Sequence, residues 1–177
     1  MAKIIYYVAS SIDGFIAGPN DDISSFTIGG KGIDKYLSDL KKFNTVIMGR
    51  RTYEFGYQFG LEPGQPAYPH MEHFIFSNSL EIENLAKSVH IEKISLARVI
   101  EIKETAKTDI YLCGGGKFAG WLLENNLIDQ VKMKLNPIIL GNGIRLFGKS
   151  TVNKKLDLIE TESFDEGLKI LTYSIEK

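Results

Sequence analysis

Cysteine and histidine are scarce in this 177-residue chain. Cys113 is the only cysteine, and there are three histidines. A disulfide within the chain is therefore impossible, and a reducing compartment, the cytoplasm, is expected. His70 and His73 lie three positions apart without an evident third ligand, so we predict no metal site.

Long apolar runs and an excess of charge are also missing. The first apolar run, residues 4–9, is too short to cross a membrane, and no signal-peptide cleavage site follows it. The net charge is -1, and clusters of Lys and Arg are short, so we predict neither a nucleic-acid nor a membrane partner. With 44% hydrophobic and 24% charged residues, the composition predicts one globular domain over residues 1–177.

Apolar runs alternate with helical periodicity along the chain. Strands are predicted over 4–9, 45–48, 73–76, 109–113 and 129–135, with a closing hairpin of 156–163 and 168–175. Helices are predicted over 34–43, 95–106 and 117–126, with Ser95 as an N-cap. This order predicts an α/β fold whose sheet is mainly parallel, with antiparallel strands at one edge. We expect the irregular segment 56–72 to be a lid or a dimer contact.

The first candidate site is the run Gly49-Arg50-Arg51-Thr52, which follows a predicted strand. A helix is expected to begin near Thr52, and free N–H groups at a helix start favour an anion. The guanidinium groups of the two arginines match phosphate oxygens in geometry and charge. The alternative is a surface turn that happens to carry positive charge.

The second candidate is Gly114-Gly115-Gly116-Lys117, between a predicted strand and a predicted helix. Glycines let the backbone approach a ligand closely. The run is not a P-loop, because Tyr111 and Phe118 occupy positions that need Gly and Ser or Thr. It also comes too late in the chain for a Rossmann fingerprint. Two interpretations of the run remain: a pyrophosphate-binding turn of another fold, or a purely structural turn.

The third candidate is the segment 10–17, directly after the first predicted strand. Asp13 would lie at the carboxyl end of a central strand, where open α/β sheets bind ligands. Its carboxylate would then bind a substrate amine or hydroxyl, while Phe15 and Ile16 would cover a nicotinamide ring and exclude water. The sequence Asp13-Gly14 is equally typical of a plain turn.

The fourth candidate is the segment 137–147. Gly141 lets the backbone bend after a strand, and Arg145 is a possible partner for an anionic substrate. A solvated arginine explains the same pattern. Cys113 is interpreted as a small apolar residue of the glycine turn rather than a nucleophile.

Together these four segments resemble the dihydrofolate-reductase-like superfamily. The most similar branch contains the C-terminal reductase domain of bifunctional riboflavin-biosynthesis enzymes. The resemblance rests on residues 11–17 (SIDGFIA), 46–54 (VIMGRRTYE), 110–116 (IYLCGGG) and 137–143 (PIILGNG). It implies a three-layer α/β/α fold with a central mixed, mainly parallel sheet, NADPH as hydride donor, and a homodimer.

The resemblance also implies roles for individual residues in cofactor binding. Ala9 and Ile16 would line the nicotinamide, and Ser77 and Asn78 would lie near the adenosine 2′-phosphate. The phosphates would be held by Gly49, Arg50, Arg51, Thr52, Gly114, Gly115, Gly116 and Lys117. A 2′-phosphate adds about two negative charges that Arg51 can pair, so NADPH should be preferred over NADH.

On the substrate side the resemblance leaves alternatives open. Asp13 would be the catalytic residue. The substrate would be bound by Asp13 itself together with Phe15, Asp34, Gly141 and Arg145. Asp34 is also explained as the N-cap of the first helix. The substrate would be a heterocycle or another compound with a C=N or C=O bond. There are two competing hypotheses. In the first, the protein is an NADP-binding sensor or interaction module without turnover. In the second, both glycine turns are purely structural and the protein binds no cofactor.

Overall fold

A computed structural model describes residues 1–176 of the chain, and its core is an eight-stranded sheet. The central strands, residues 4–10, 45–49 and 110–114, are largely apolar and buried, whereas the edge strand at residues 156–163 is mostly exposed. In chain order the strands of this sheet and of a small second sheet are β1 (Ile4–Ser10), β2 (Phe15–Ala17), β3 (Thr45–Gly49), β4 (Glu72–Phe76), β5 (Val89–Glu92), β6 (Ile110–Gly114), β7 (Gln130–Leu135), β8 (Ile144–Arg145), β9 (Leu156–Ser163) and β10 (Lys169–Ile175).

The large sheet has the strand order β5-β4-β3-β6-β1-β7-β10-β9. Neighbouring strands from β5 to β7 are parallel, whereas β10 runs antiparallel to both β7 and β9. The predicted mixed, mainly parallel sheet with a C-terminal antiparallel hairpin is therefore confirmed.

Four helices connect and cover the strands. They are α1 (Lys31–Leu40), α2 (Arg50–Phe55), α3 (Leu96–Thr105) and α4 (Gly116–Glu124). The predicted cap of α3 is confirmed, since Ser95 Oγ accepts a hydrogen bond from the N–H of Arg98 at 3.4 Å. The predicted cap of α1 is wrong: the helix begins three residues earlier, Gly30 is its N-cap, and Asp34 lies in its first turn.

Apolar side chains form two cores, one on each face of the sheet. Successive strand residues point to opposite faces. Tyr6 accordingly belongs to the core under α3 and α4, while Tyr7 belongs to the core under α1 and α2. Helices on both faces of one sheet make the three-layer α/β/α architecture that the resemblance implied.

Three short strands were not predicted. β5 extends the parallel sheet, and β2 pairs with β8 in a separate antiparallel ribbon, with Phe15 opposite Arg145. Strands of two to four residues are too short for a recognisable alternation. The β2–β8 ribbon matters for the site because it places residues 15–17 beside residues 144–145.

The irregular segment 56–72 packs against the core under α1 and α2 through Leu61, Tyr68 and Met71. It contains a single 3₁₀ turn, Gly56–Phe59, and then continues without regular structure to β4. The backbone N–H of Tyr68 donates a hydrogen bond to Nε2 of His73 at 3.1 Å, which fixes the end of the segment against β4.

Candidate functional site

A cleft of about 1270 Å³ opens at the carboxyl ends of the parallel strands. Its walls include Ala9 of β1, Gly49 of β3, Ser77 after β4 and Gly115 after β6. Parallel α/β sheets bind ligands at this edge. The cleft therefore brings together residues from the first, second and fourth candidate segments of the sequence, and Ile16 from the third.

The start of α2 forms one wall of the cleft. Gly49 is the N-cap and contributes no side-chain hydrogen bond to the first turn, so N–H groups of that turn are left to bind a ligand or water. Gly49, Arg50, Arg51 and Thr52 all line the cleft. Arg50 binds Glu54 through Nε at 2.8 Å and Ser79 Oγ through Nη1 at 3.1 Å. Arg51 donates through Nη2 to both carboxylate oxygens of Asp21, at 3.1 and 3.0 Å.

The glycine turn before α4 lies beside the start of α2 and lines the cleft with it. Gly115, Gly116 and Lys117 line the cleft, Gly114 precedes them at the end of β6, and the Gly114–Gly115 peptide is cis. A Cβ at position 116 would lie 2.1 Å from the carbonyl oxygen of Arg145, closer than any real contact. The absence of a side chain here is thus required by packing of the turn against the end of β8 and against Gly148 after it.

The α4 N-terminus is also uncapped by any side chain. Exposed Lys117 stands in its first turn, and Lys149 joins it from the segment after β8. Backbone N–H groups and cationic side chains therefore converge on one part of the cleft, which suits a phosphate-bearing ligand. Lys149 was missed in the sequence because nothing near it marks a motif.

Ser77 and Asn78 follow β4 and line the cleft beside Ser79. Ser77 Oγ accepts hydrogen bonds from the N–H groups of Ser79 and Leu80, at 3.1 and 2.9 Å. Asn78 Oδ1 accepts one from the N–H of Ile94 at 3.1 Å. The oxygens of both side chains thus shape the turn, while the Ser77 hydroxyl proton and the Asn78 NH₂ group can still donate to a ligand.

Ala9 and Ile16 lie in the same cleft, as the resemblance implied for residues around a nicotinamide. The β2–β8 ribbon positions Ile16 there, between buried Phe15 and Ala17. Arg145 lines the cleft and holds its guanidinium 5.8 Å from the centre of the Phe15 ring. Phe15 itself is buried and does not line the cleft, so it supports the ribbon rather than covering a ligand directly.

Asp13 and Gly141 lie outside the cleft. The carboxylate of Asp13 accepts hydrogen bonds from Ser11 Oγ at 2.6 Å, from the N–H of Gly141 at 2.7 Å and from the N–H of Leu140 at 3.1 Å. The bond from Ser11, helped by the two backbone groups, lowers the pKa of Asp13 to about 2. Such a carboxylate ties two loops together, and its position gives no support to a role as proton donor.

Asp34 is exposed on α1 and does not line the cleft. The side chain that α1 does place there is Tyr36, two residues further along the helix. Its hydroxyl lies 2.7 Å from the hydroxyl of Tyr111 on β6. The position of Asp34 thus gives no support to its predicted contact with the substrate, and the polar group that α1 supplies at the cleft is the hydroxyl of Tyr36.

A group of tyrosines around Cys113 was missed altogether. Tyr7, Tyr36, Tyr68 and Tyr111 line the cleft together with Cys113, and the Tyr68 hydroxyl lies 3.5 Å from Cys113 Sγ. We call these five residues the tyrosine chamber. Burial raises the pKa of Tyr36 to about 12 and holds the pKa values of Tyr68 and Tyr111 well above that of a free phenol, so all three phenols are neutral donors near pH 7. Strand and helix patterns explain Tyr7, Tyr36 and Tyr111 as core residues, and Tyr68 lies in an irregular segment, so no pattern in the sequence indicated their convergence.

Two further findings concern the described residues 1–176 as a whole. No group of three or more His, Cys, Asp or Glu side chains in this part of the chain is arranged to hold a metal ion. None of its helices combines the length and apolar character needed to cross a bilayer.

Comparisons with known proteins agree with this fold. The family model described as RibD C-terminal domain matches residues 2–170. The uncharacterized protein YwjB of Bacillus subtilis (strain 168) is 27% identical over 173 residues, which covers 95% of each chain. A crystal structure from Shewanella sp. PV-4, of a protein named for riboflavin biosynthesis, is 23% identical with a TM-score of 0.80 and full coverage of both chains. Dihydrofolate reductase from Enterococcus faecalis, complexed with NADP(H), is 15% identical with a TM-score of 0.66, covering 99% of this chain and 97% of that one.

Proposed function

Because this chain belongs to the RibD C-terminal domain family, we propose that it is an NADPH-dependent reductase, which transfers hydride to a small heterocyclic or C=N/C=O substrate. One observation carries the proposal: a single cleft joins a cationic wall rich in backbone N–H groups to an apolar, aromatic end. A dinucleotide has the same division between charged phosphates and a flat ring. A structural neighbour, the Enterococcus faecalis enzyme, is complexed with NADP(H).

The cationic wall fits the phosphates of such a cofactor. The pyrophosphate would be held by Gly115, Gly116 and Lys117 at the start of α4, where the N–H groups are free of side-chain caps. Arg51 lines the same cleft from α2, and its side chain is three-quarters exposed, so it can turn to a phosphate. A 2′-phosphate near Arg51, Ser77 and Asn78 would give the preference for NADPH over NADH.

The apolar end fits the nicotinamide. Ala9 would pack under the ring because its small side chain leaves space, and Ile16 would cover the opposite side and exclude water. NADPH, when bound, supplies the hydride. The residues of the chain hold the two reactants in line and in a dry environment, which lowers the entropic and solvation parts of the barrier.

The decisive experiment measures binding and turnover separately. We expect NADPH to raise the unfolding temperature and NADH to do so much less; a ligand at 100 times its dissociation constant stabilises by about 2.7 kcal/mol. Consumption of NADPH with a carbonyl or heterocyclic substrate then identifies a reductase. Binding without turnover of any substrate would favour the sensor or interaction module. No binding of either nucleotide would mean that both glycine turns are structural.

The proposal includes a homodimer and the cytoplasmic location expected from the lone cysteine. β9 is the last strand of the sheet, and seven of its eight residues are exposed, among them Leu156, Leu158 and Ile159. An edge strand with unpaired backbone groups and exposed apolar side chains favours pairing with another strand. A second copy of this chain, related by a twofold axis beside β9, would cover both the unpaired backbone groups and the apolar side chains of this strand.

A further inference from the structure

We propose that the tyrosine chamber accepts a flat, uncharged substrate through a carbonyl oxygen, which the hydroxyls of Tyr36, Tyr68 and Tyr111 bind and protonate. The inference rests on the proposed reductase function and names its substrate class. This class is narrower than the heterocycle or C=N/C=O compound proposed above. Four features of the chamber and its surroundings carry it.

The first feature is a network of hydroxyl donors. Tyr7 donates its proton to Oδ2 of Asp39 at 3.3 Å, so it is already committed. The hydroxyls of Tyr36 and Tyr111 lie 2.7 Å apart, the Tyr68 hydroxyl lies 3.5 Å from Cys113 Sγ, and further hydrogen bonds join Tyr68 to Tyr36 and Tyr111. A phenol hydroxyl rotates about its C–O bond, so a ligand oxygen that enters the cleft can accept a proton now shared within this network. A carbonyl oxygen, which accepts hydrogen bonds and donates none, is the matching ligand.

The second feature is the arrangement of negative charge. Among residues 1–176, the acidic side chains that line the cleft are Asp21 and Glu54, which pair with Arg51 and Arg50. Asp39 lies behind Tyr7 and is neutralised by lysines. No carboxylate is therefore free to bind a protonated ring nitrogen or an amidine-like edge, which a pterin presents. A neutral acceptor fits the chamber better than a cation.

The third feature is a buried cation behind Tyr36. Lys134 on β7 is 8% exposed, and its Nζ lies 4.6 Å from the centre of the Tyr36 ring. Within residues 1–176 its ammonium makes no hydrogen bond or ion pair, unlike Lys132 two positions earlier, which binds Asp39 at 2.7 Å. Lys134 is opposite Ala9 in the parallel register of β1 and β7, so both point to the same face of the sheet. An unpaired positive charge there favours negative charge on a nearby oxygen.

The fourth feature is the shape of the walls. The rings of Tyr7 and Tyr36 meet edge to face at 4.9 Å, and those of Tyr68 and Tyr111 at 5.6 Å. Aromatic walls favour a flat, unsaturated ring over a saturated or highly charged one. A conjugated ketone, a quinone or an aromatic aldehyde has both the flat shape and the carbonyl oxygen.

The chemical step balances with groups already named. Hydride from the dihydronicotinamide forms a C–H bond at the carbonyl carbon, or at the β-carbon of a conjugated system, and the C=O π pair moves to oxygen. A phenol proton passes to that oxygen, and solvent restores it through the hydrogen-bonded hydroxyls. The substrate gains two electrons, NADPH becomes NADP⁺, and the negative charge that develops on oxygen is stabilised by the hydroxyls and, through the Tyr36 ring, by the field of Lys134 behind it.

The test uses three neutral carbonyl probes, 2-cyclohexen-1-one, 1,4-naphthoquinone and benzaldehyde, against dihydrofolate. We expect the full chain to consume NADPH with at least one carbonyl probe and not with dihydrofolate. Tyr36→Phe and Tyr111→Phe should each lower kcat at least about tenfold, the lower part of what a general acid contributes, without weakening NADPH binding. Tyr6→Phe is the matched control, because its hydroxyl donates to the carbonyl of Leu146 on the opposite face of the sheet.

Lys134 supplies a second, ligand-independent measurement. Lys134→Met should raise the unfolding temperature, since it replaces an unpaired buried charge with an apolar chain of similar length, while it lowers kcat with the carbonyl probe. Lys132→Met should instead lower the unfolding temperature, because it leaves Asp39 with one partner fewer. If Lys134 served only to stabilise the fold, Lys134→Met would lower the unfolding temperature, and that result would contradict the inference.

The outcomes separate the substrate class from the cofactor. NADPH binding with turnover of dihydrofolate alone, or with no turnover of any carbonyl probe, overturns the substrate class and leaves cofactor binding intact. Full activity of both Tyr36→Phe and Tyr111→Phe overturns the role of the hydroxyls. Failure to bind NADPH at all removes the reductase proposal first and this inference with it.

Discussion

Nε2 of buried His73 accepts a hydrogen bond from the backbone N–H of Tyr68, at 3.1 Å, while Nδ1 donates to the carbonyl oxygen of Met71 at 3.0 Å. The two partners require a neutral imidazole with its proton on Nδ1. The rings of His73 and Tyr68 also stack at 5.9 Å. His73 therefore positions a tyrosine of the chamber from behind, and its protonation would break that contact.

Acid should destabilise the protein through His73. Burial lowers the pKa of His73 to about 4, so between pH 6.5 and 4 the unfolded chain binds a proton that the folded chain does not. The free energy of unfolding should therefore fall by roughly 3 kcal/mol as the pH drops through that window. Urea unfolding at pH 7 and pH 4.5 measures it. In His73→Gln, whose side chain stays neutral, this part of the pH dependence should vanish; an unchanged pH profile would contradict the assignment.

Gly116→Ala should damage both stability and cofactor binding. The added Cβ would lie 2.1 Å from the carbonyl oxygen of Arg145 and 3.0 Å from the N atom of Gly148, and neither backbone atom can move without shifting its loop. We expect a loss of about 2 kcal/mol in the free energy of unfolding and at least tenfold weaker NADPH binding. Gly29→Ala is the control, since nothing lies within 4 Å of its Cβ and its φ is not positive. If Gly116→Ala and Gly29→Ala had the same free energy of unfolding and the same NADPH affinity, the close packing at Gly116 would be refuted.

Asp39→Asn should be strongly destabilising. Burial opposes ionisation of Asp39, but hydrogen bonds from Lys132, Lys35 and Lys42 outweigh it and hold the pKa well below its ordinary value. The change leaves these ammonium groups without their shared partner, at a cost of about 3 kcal/mol in urea unfolding. Because the folded-state pKa is depressed, this stability is present above pH 4 and is lost as the pH falls below it. Asp157→Asn, on exposed β9, should change the unfolding free energy by less than about 0.5 kcal/mol.

Arg51 and Asp21 should affect NADPH affinity in opposite directions. Both oxygens of Asp21 bind the guanidinium that the proposal assigns to a phosphate, so the carboxylate competes with the ligand. Arg51→Ala should weaken NADPH binding about tenfold or more and NADH binding less, whereas Asp21→Asn should tighten NADPH binding a few-fold. Fluorescence titration at low and high salt measures both. Lys41→Ala removes one exposed positive charge outside the cleft and should leave both affinities unchanged; a similar loss there would point to a general charge effect.

Leu158→Lys should dissociate the proposed homodimer. The side chain is 57% exposed at the centre of β9, where a charge would have to be buried between two copies. Light scattering coupled to size exclusion should show a dimer for the original chain and a monomer for the variant. Ile139→Lys puts the same charge on a loop residue that is 76% exposed and should remain dimeric. A monomeric original chain would end this part of the proposal.

Much of the fold and part of the site can be predicted from the sequence because their signals are local. The apolar strand β1, the periodic helix α3 with its Ser95 cap, and the glycine turn before α4 each carry the pattern of one element. The sequence around Arg50 and Arg51 likewise predicts a cationic turn after a strand. These features follow from propensity and hydrogen-bonding capacity within about ten residues of chain.

Tertiary structure alone decided which polar groups face the cleft. Asp13 has the sequence context of a site residue, but its oxygens are taken by Ser11 and by backbone N–H groups 127 and 128 positions away. Tyr36 and Tyr111 are 75 positions apart and look like ordinary core residues, yet their hydroxyls meet at 2.7 Å. The physical reason is that side-chain hydrogen bonds depend on which strands and helices become neighbours, and that is set by packing of the whole sheet rather than by any local pattern.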